Sequence, residues 1–290
     1  MKTYFVSSDI HGFFKQWLSS LLEAGFDKNN DEHVLIVLGD LFDRGYEVVE
    51  VYRFVKSLPE ERVILIKGNH EYLYEELLNK RFPDNYDFSN GTVDTFCQIA
   101  GKKEETLSYG YWRGLGNLEP YDLIMQNWED IKKNVRESEI TAWIKSDVWK
   151  HYYELGKYIF VHSFIPLRSL DFLPGYYINN RMLEYFPDWR KTANEREWND
   201  STWGCPVKLY MDGYFKEEEK KGKTLVCGHW HTSDFFNRLL YFDQPNKQLD
   251  IHESNPIFKS DEFPGIIGID ACTALTNKVN VLVIKEESLS

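Results

Sequence analysis

The stretch HVLIVLGDLFDRGYEVVEVYRFVKSL, residues 33–58, decides the fold class. His33 to Leu38 is an apolar run of strand length, Gly39 to Gly45 is a polar turn, and Tyr46 to Leu58 sets Val48, Val51, Tyr52 and Val55 on one helical face. The same order recurs on either side. Thr3 to Ser7 predicts a strand, and Phe13 to Ala24 a helix stopped by Gly25. Arg62 to Ile66 predicts a third strand and Glu71 to Asn79 a third helix. Strands alternating with helices indicate an α/β domain with a partly parallel sheet.

Residues 81–155 interrupt that order. They are polar and aromatic, with helical patches at 122–135 and 139–153, and read as a cap-like insertion within one domain spanning 1–290. Strands resume at 157–161 and 224–227, and the stretch between them carries Trp189, Trp198 and Trp203. Gly265 to Asp270 and Lys278 to Lys285 predict a closing strand pair.

The balance of 42% hydrophobic and 28% charged residues is that of a globular domain. A net charge of −12 repels phosphate backbones and disfavours sequence-independent nucleic-acid binding. Four scattered cysteines form no CxxC pair, so reduced, buried thiols are expected. The chain opens straight into a strand-like run and holds no apolar stretch near 18 residues, so the expectation is a cytoplasmic protein without a membrane span.

Five short motifs sit where predicted strands end: SDIHG (8–12), GDLFDRG (39–45), GNHE (68–71), VHS (161–163) and CGHWH (227–231). In open α/β sheets, ligands bind beyond the carboxyl ends of the strands. Carboxylate, imidazole and amide oxygen together suit Mn, Fe or Zn. Each motif alone has a structural explanation. A Gly-Asp pair is ordinary turn chemistry, Asn69 could cap a helix, and a strand-end His162 could simply be a satisfied polar group. Five in order, carrying five of the eight histidines, are hard to obtain from structural needs alone.

The order DxH, GDxxDRG, GNHE, H, GHxH resembles the calcineurin-like metallophosphoesterase superfamily. The GDLFDRG and GNHE forms are similar to its phosphoprotein phosphatase branch, which includes serine/threonine phosphatases and symmetrical diadenosine tetraphosphatases. The resemblance implies two facing mixed β-sheets flanked by helices, an α/β/β/α sandwich with a helical insertion. It implies a dinuclear phosphatase in which a hydroxide bridging two divalent metals attacks phosphorus. Manganese is the foremost choice, with Fe, Zn or Ni as others. Asp9 and His11 would hold the first metal, Asp40 both, and Asn69, His162 and His229 the second. Arg44 would bind phosphate through its planar fork. His70 would be the general acid, with Asp43 orienting it and favouring its protonated form. The substrate would be a phosphomonoester, possible forms being a phosphorylated small molecule, a nucleotide or a phosphoprotein.

The chain also departs from the pattern. Ser8 stands where the family has Gly, with little consequence expected. His162-Ser163-Phe164 replaces the branch's His-Gly-Gly. His231 adds a second histidine to the last motif, and strand alternation would put it on the face of His229 as a seventh ligand. The branch uses a second phosphate-binding Arg; Arg168, Arg181, Arg190 and Arg196 are candidates, Arg196 the chosen one. Tyr109, Tyr111, Trp112 and Trp128 could stack a nucleobase or form the insertion's own core. A non-catalytic scaffold should have lost ligands or the acid, and every one of these residues is present.

Overall fold

The computed structural model describes residues 1–102, 119–169, 182–243, 250–252 and 255–289. Strands β1 (Thr3–Ser7), β2 (His33–Val37), β3 (Val63–Ile66) and β4 (Trp149–Lys150) run parallel in one sheet, closed at the β1 edge by antiparallel β11 (Leu282–Lys285). A second sheet has the order β10 (Ile266–Asp270), β9 (Thr224–His231), β6 (Tyr158–Val161), β5 (Tyr152–Leu155). A two-stranded ribbon pairs β7 (Arg168–Ser169) with β8 (Leu183–Glu184).

The period-2 alternation of the strands sorts their side chains into layers. Tyr4, Val6, Val34 and Ile36 point to one side of the first sheet and meet Phe160, Val226, Ile267 and Ile269 of the second. Phe5, Leu35, Val37 and Leu65 point the other way, onto α1 (Phe14–Glu23) and α2 (Val48–Lys56) through Trp17, Leu21, Val51 and Val55. Ile159, Val161 and Leu225 form the outer core of the second sheet with Trp189 and Trp198. The expected sandwich of two mixed sheets flanked by helices is therefore the observed architecture.

Two expectations change. Residues 266–270 and 282–285 are not a pair, because they end up in different sheets. The helical patch at 139–153 stops at Ile144, and 149–150 and 152–155 are two strands. A strand at the edge of each sheet thus comes from the end of the segment read as an insertion. Its helical part begins with α4 (Asn85–Asn90) and α5 (Thr92–Ile99), after α3 (Asn69–Asn79). Trp128 is buried, stacks on Phe96 with ring centres 5.7 Å apart and donates its indole N–H to the Arg81 carbonyl. It belongs to the core; truncating such a ring costs about 3–5 kcal/mol. Tyr109, Tyr111, Trp112 and Arg181 lie outside the described residues. All four cysteines are buried, and none is joined in a disulfide. No described helix is long and apolar enough to cross a membrane.

Candidate metal centre

The candidate residues gather where β1, β2, β3, β6 and β9 end. The chain turns sharply there, and the turns are strained. Among the described residues eight non-glycine positions have positive φ, and six are Asp9, His11, Asp40, Asp43, Arg44 and His229. Each such residue costs roughly 1–3 kcal/mol, which the surrounding fold must offset. Two glycines show how tightly the turns pack. A Cβ on Gly68 would lie 2.2 Å from Asp40 Oδ1, and one on Gly228 would lie 1.7 Å from Ser8 Oγ.

Asp40 is central. His11, Asp40 and His70 each offer a donor atom within 4.8 Å of the others, and so do Asp40, His162 and His229. Asp9 lies at the first group, its Oδ1 3.9 Å from His11 Nε2. Asn69 lies at the second, its Oδ1 2.9 Å from His162 Nε2. One carboxylate shared by two clusters is the arrangement expected of a bridging ligand.

Hydrogen bonds fix which ring nitrogens face the site. His11 Nδ1 donates to the Phe42 carbonyl at 3.0 Å and His162 Nδ1 to the Leu38 carbonyl at 2.5 Å. A carbonyl only accepts, so the proton sits on Nδ1 and the Nε2 lone pair is left for the site. His162 Nε2 and Asn69 Oδ1 are then two acceptors 2.9 Å apart, with Asp40 Oδ1 3.5 Å from the same nitrogen. Facing lone pairs repel unless a cation lies among them. The donor set therefore fits a metal.

The electrostatics agree. Burial, aided by Asp270, pushes Asp9 up to about 6, and burial with the Asp9 and Glu71 charges pushes Asp40 well above the usual carboxylate range. Burial holds His11, His162 and His229 below the usual imidazole range, in the neutral form that ligates metal. Nearby positive charge would relieve the carboxylates.

Arg44 supplies some of that charge. Its guanidinium is 2.8 Å from His11 Nε2 and 3.1 Å from His70 Nε2. His70 Nδ1 lies 2.6 Å from Asp43 Oδ2, within hydrogen-bond reach of the carboxylate. The expected protonation preference is outweighed. Burial and Arg44 together hold His70 well below the usual imidazole range, and burial lifts Asp43 itself to about 7.

The remaining candidates stand apart. Arg196, half exposed on the helix Glu195–Ser201, faces Asp200 at 3.8 Å. Arg168 pairs with Glu197, and Arg190 with Glu154 and Glu219. His231 joins neither donor group. The alternation argument for it fails locally. Gly268 pairs with Cys227 but Asp270 with His231, so β9 bulges between them.

Four contributions escaped the sequence reading. Glu71 accepts backbone N–H bonds from Asp40, Leu41 and Gly68, tying the second turn to the third. Its signal was a capping-box Glu three residues after Gly68. Ser8 donates to Asp9 Oδ2, so its side chain touches the carboxylate of a candidate ligand. Ser163 donates to the Gly204 carbonyl and fastens the 199–204 segment beside the site. Thr92 and Thr95 both donate to Asp43.

Residues 2–233 match the profile of the calcineurin-like phosphoesterase family. A symmetrical bis(5'-nucleosyl)-tetraphosphatase of Buchnera aphidicola subsp. Baizongia pistaciae is 41% identical over 85 residues, 28% of this chain and 29% of that protein. One from Colwellia psychrerythraea is 46% identical over 71 residues, 24% of each chain. The matches thus span less than a third of those relatives. A cold-active protein-tyrosine phosphatase of a psychrophile Shewanella superposes with TM-score 0.50 and 15% identity, over 98% of this chain and 76% of that one. That likeness speaks to the fold alone.

Proposed function

The chain belongs to the calcineurin-like phosphoesterase family, and from its site we propose that it is a metal-dependent phosphoesterase hydrolysing phosphomonoesters. The observation that carries the reading is the shared Asp40 between two donor groups, with an orienting carboxylate on His70. Divalent metal ions go with the family. Asp9, His11 and Asp40 would hold one, with His231, whose ring feels the Asp9 charge, as a further candidate. Asp40, Asn69, His162 and His229 would hold the other. Manganese is the proposed identity. Divalent ions bound there would offset the phosphate charge and acidify water at neutral pH.

The chain's own groups then have defined work. Arg44 leaves the His11 and His70 nitrogens for two oxygens of the phosphate, which its planar fork suits. That exchange removes a positive charge from His70 and brings a negative one near, so Nε2 takes a proton while Asp43 keeps Nδ1–H in place. Water oxygen joins phosphorus and gives up a proton to solvent, the P–O ester bond breaks, and the leaving oxygen takes the electron pair and the His70 Nε2 proton, which solvent later restores. Alcohol and phosphate result.

A second reading, hydrolysis of a dinucleoside tetraphosphate, is favoured by the names of the matched relatives. Manganese-loaded protein assayed side by side on a phosphoserine peptide, p-nitrophenyl phosphate, diadenosine tetraphosphate and a phosphodiester separates the two. Preference for monoesters supports the first, preference for the tetraphosphate the second, and inactivity on all four refutes both. His70→Asn should keep its metal and lose roughly 10²–10⁴-fold in turnover, the usual worth of general acid catalysis; undiminished turnover removes His70 as the acid.

A further inference from the structure

Helix α5 is the second helix of the segment that the sequence presents as a cap, yet its polar side chains point inward. Thr92, Thr95 and Gln98 recur every third residue, so they share one helical face, and all three are buried. That face grips residues 43–48. The Thr92 hydroxyl donates to Asp43 Oδ2 at 2.8 Å and the Thr95 hydroxyl to Asp43 Oδ1 at 2.6 Å. The Thr95 oxygen also accepts the Asp43 backbone N–H at 2.9 Å. Gln98 donates to the Gly45 carbonyl at 2.8 Å and accepts the Val48 N–H at 3.1 Å. At the head of the helix, a Cβ on Gly91 would come within 2.4 Å of the Arg44 backbone nitrogen.

Buried hydroxyls need partners, but a helical threonine has a local one in the carbonyl of the preceding turn. Here both spend their protons on one carboxylate. That carboxylate also accepts from His70 Nδ1 at 2.6 Å and belongs to a residue with φ of +71°. With bonds on both oxygens and on its own N–H, Asp43 cannot swing away from the imidazole.

We propose that Thr92 and Thr95 are positioning residues that lock Asp43, and through it the His70 ring, so that Nε2 meets the leaving oxygen of the substrate. The proposal rests on His70 being the general acid. It makes α5 a brace for the acid rather than part of a lid. A misplacement of about 1 Å at such a group can cost about 10²-fold in rate.

The test uses the full-length, manganese-loaded protein and two substrates, p-nitrophenyl phosphate and phenyl phosphate. The phenolate leaving group is the more basic and depends more on protonation. Thr95→Val should lower kcat on phenyl phosphate by about 10- to 100-fold, the usual cost of losing an orienting partner. It should lower kcat on p-nitrophenyl phosphate less, with KM and bound manganese little changed. Thr95→Ser, which keeps the hydroxyl, should recover most of the loss. Thr92→Val removes a single bond and serves as the second variant if Thr95→Val does not fold; it should show the same selectivity in smaller degree. His70→Asn is the reference. If it discriminates between the substrates while folded threonine variants lose both activities equally, or neither, the brace is overturned and the acid stands. If His70→Asn itself shows no discrimination, the general-acid reading falls first; if the wild type cleaves neither ester, the phosphomonoesterase reading falls, and the brace falls with it as stated for these esters.

Discussion

The two ends of the candidate metal centre share Asp40 and are otherwise built differently. At the His162 end, imidazole and amide lone pairs face each other at 2.9 Å. At the His11 end, the Arg44 guanidinium covers the ring nitrogens of His11 and His70 at 2.8 and 3.1 Å. The first arrangement is costly until an ion enters it. The second is already partly neutralised by a side chain that must move before an ion reaches His11 Nε2. On the proposed reading, the protein holds one end ready for metal and couples the other to Arg44, the arginine proposed to bind phosphate.

Breaking the shared residue should have the largest effect. Asp40→Asn removes the charge common to both ends, so bound metal, measured by mass spectrometry, should fall from two ions to one or none and turnover to background. The metal-free variant should melt higher than the metal-free wild type. Burial and the Asp9 and Glu71 charges disfavour the ionised Asp40, and the amide is free of both penalties. Two ions retained in Asp40→Asn would show that the ends are independent.

Arg44→Ala sharpens the contrast. With the guanidinium gone, the ion at the His11 end should bind more tightly while the other is unaffected, as read by calorimetric titration. At the same time kcat/KM should fall about 10- to 100-fold, the value of a charged hydrogen bond of about 1.5–3 kcal/mol. Unchanged affinity at both ends would mean that Arg44 does not compete with metal.

That contrast also marks what the sequence could reveal. The gathering of Asp9, His11, Asp40, Asn69, His162 and His229 was legible because each sits at the carboxyl end of a strand and carries a potential ligand atom in a short motif. The parallel order of β1 to β3 followed from alternating patterns a few residues long. The grip of α5 on Asp43 was not legible, because Thr92 and Thr95 lie some fifty residues from the carboxylate they serve. Nothing local distinguishes them from solvent-facing threonines. The tail misled for a similar reason: 266–270 and 282–285 both read as strands, and only long-range packing sends them to opposite sheets. The bulge in β9 likewise depends on its pairing with β10, not on its own residues.

Proton competition separates metal-bound from metal-free protein. In the metal-free fold Asp9 and Asp270 each titrate near 6, above the usual carboxylate value near 4. A raised folded pKa means that protonation favours the fold. The stabilisation is complete below the unfolded pKa and is lost as pH rises through the folded one. The metal-free protein should therefore gain stability from these groups as pH falls from 7.5 to 5. Ion affinity should move the other way, by up to about tenfold per pH unit below 6 for each proton displaced. The gain in Tm on adding manganese should then shrink steadily over that range. A gain that stays constant from pH 7.5 to 5 would show that Asp9 is not a ligand.

The smallest effect is expected at His231, where the contrast between the ends is finest. Burial lowers its pKa while Asp234 and Asp9 pull it upward, so its ring lies within the field of the first end's carboxylate. The β9 bulge separates it from His229, whose backbone N–H bonds Asp9 Oδ2 at 2.9 Å and whose ring belongs to the second donor group. His231→Ala should weaken the His11-end ion by about tenfold, the lower range for loss of a partner around a metal, and leave the other ion in place. His229→Ala should do the reverse. Equal loss of both ions in His231→Ala would mean that the two histidines act on one ion, and no loss would leave His231 as the last residue of a strand and nothing more.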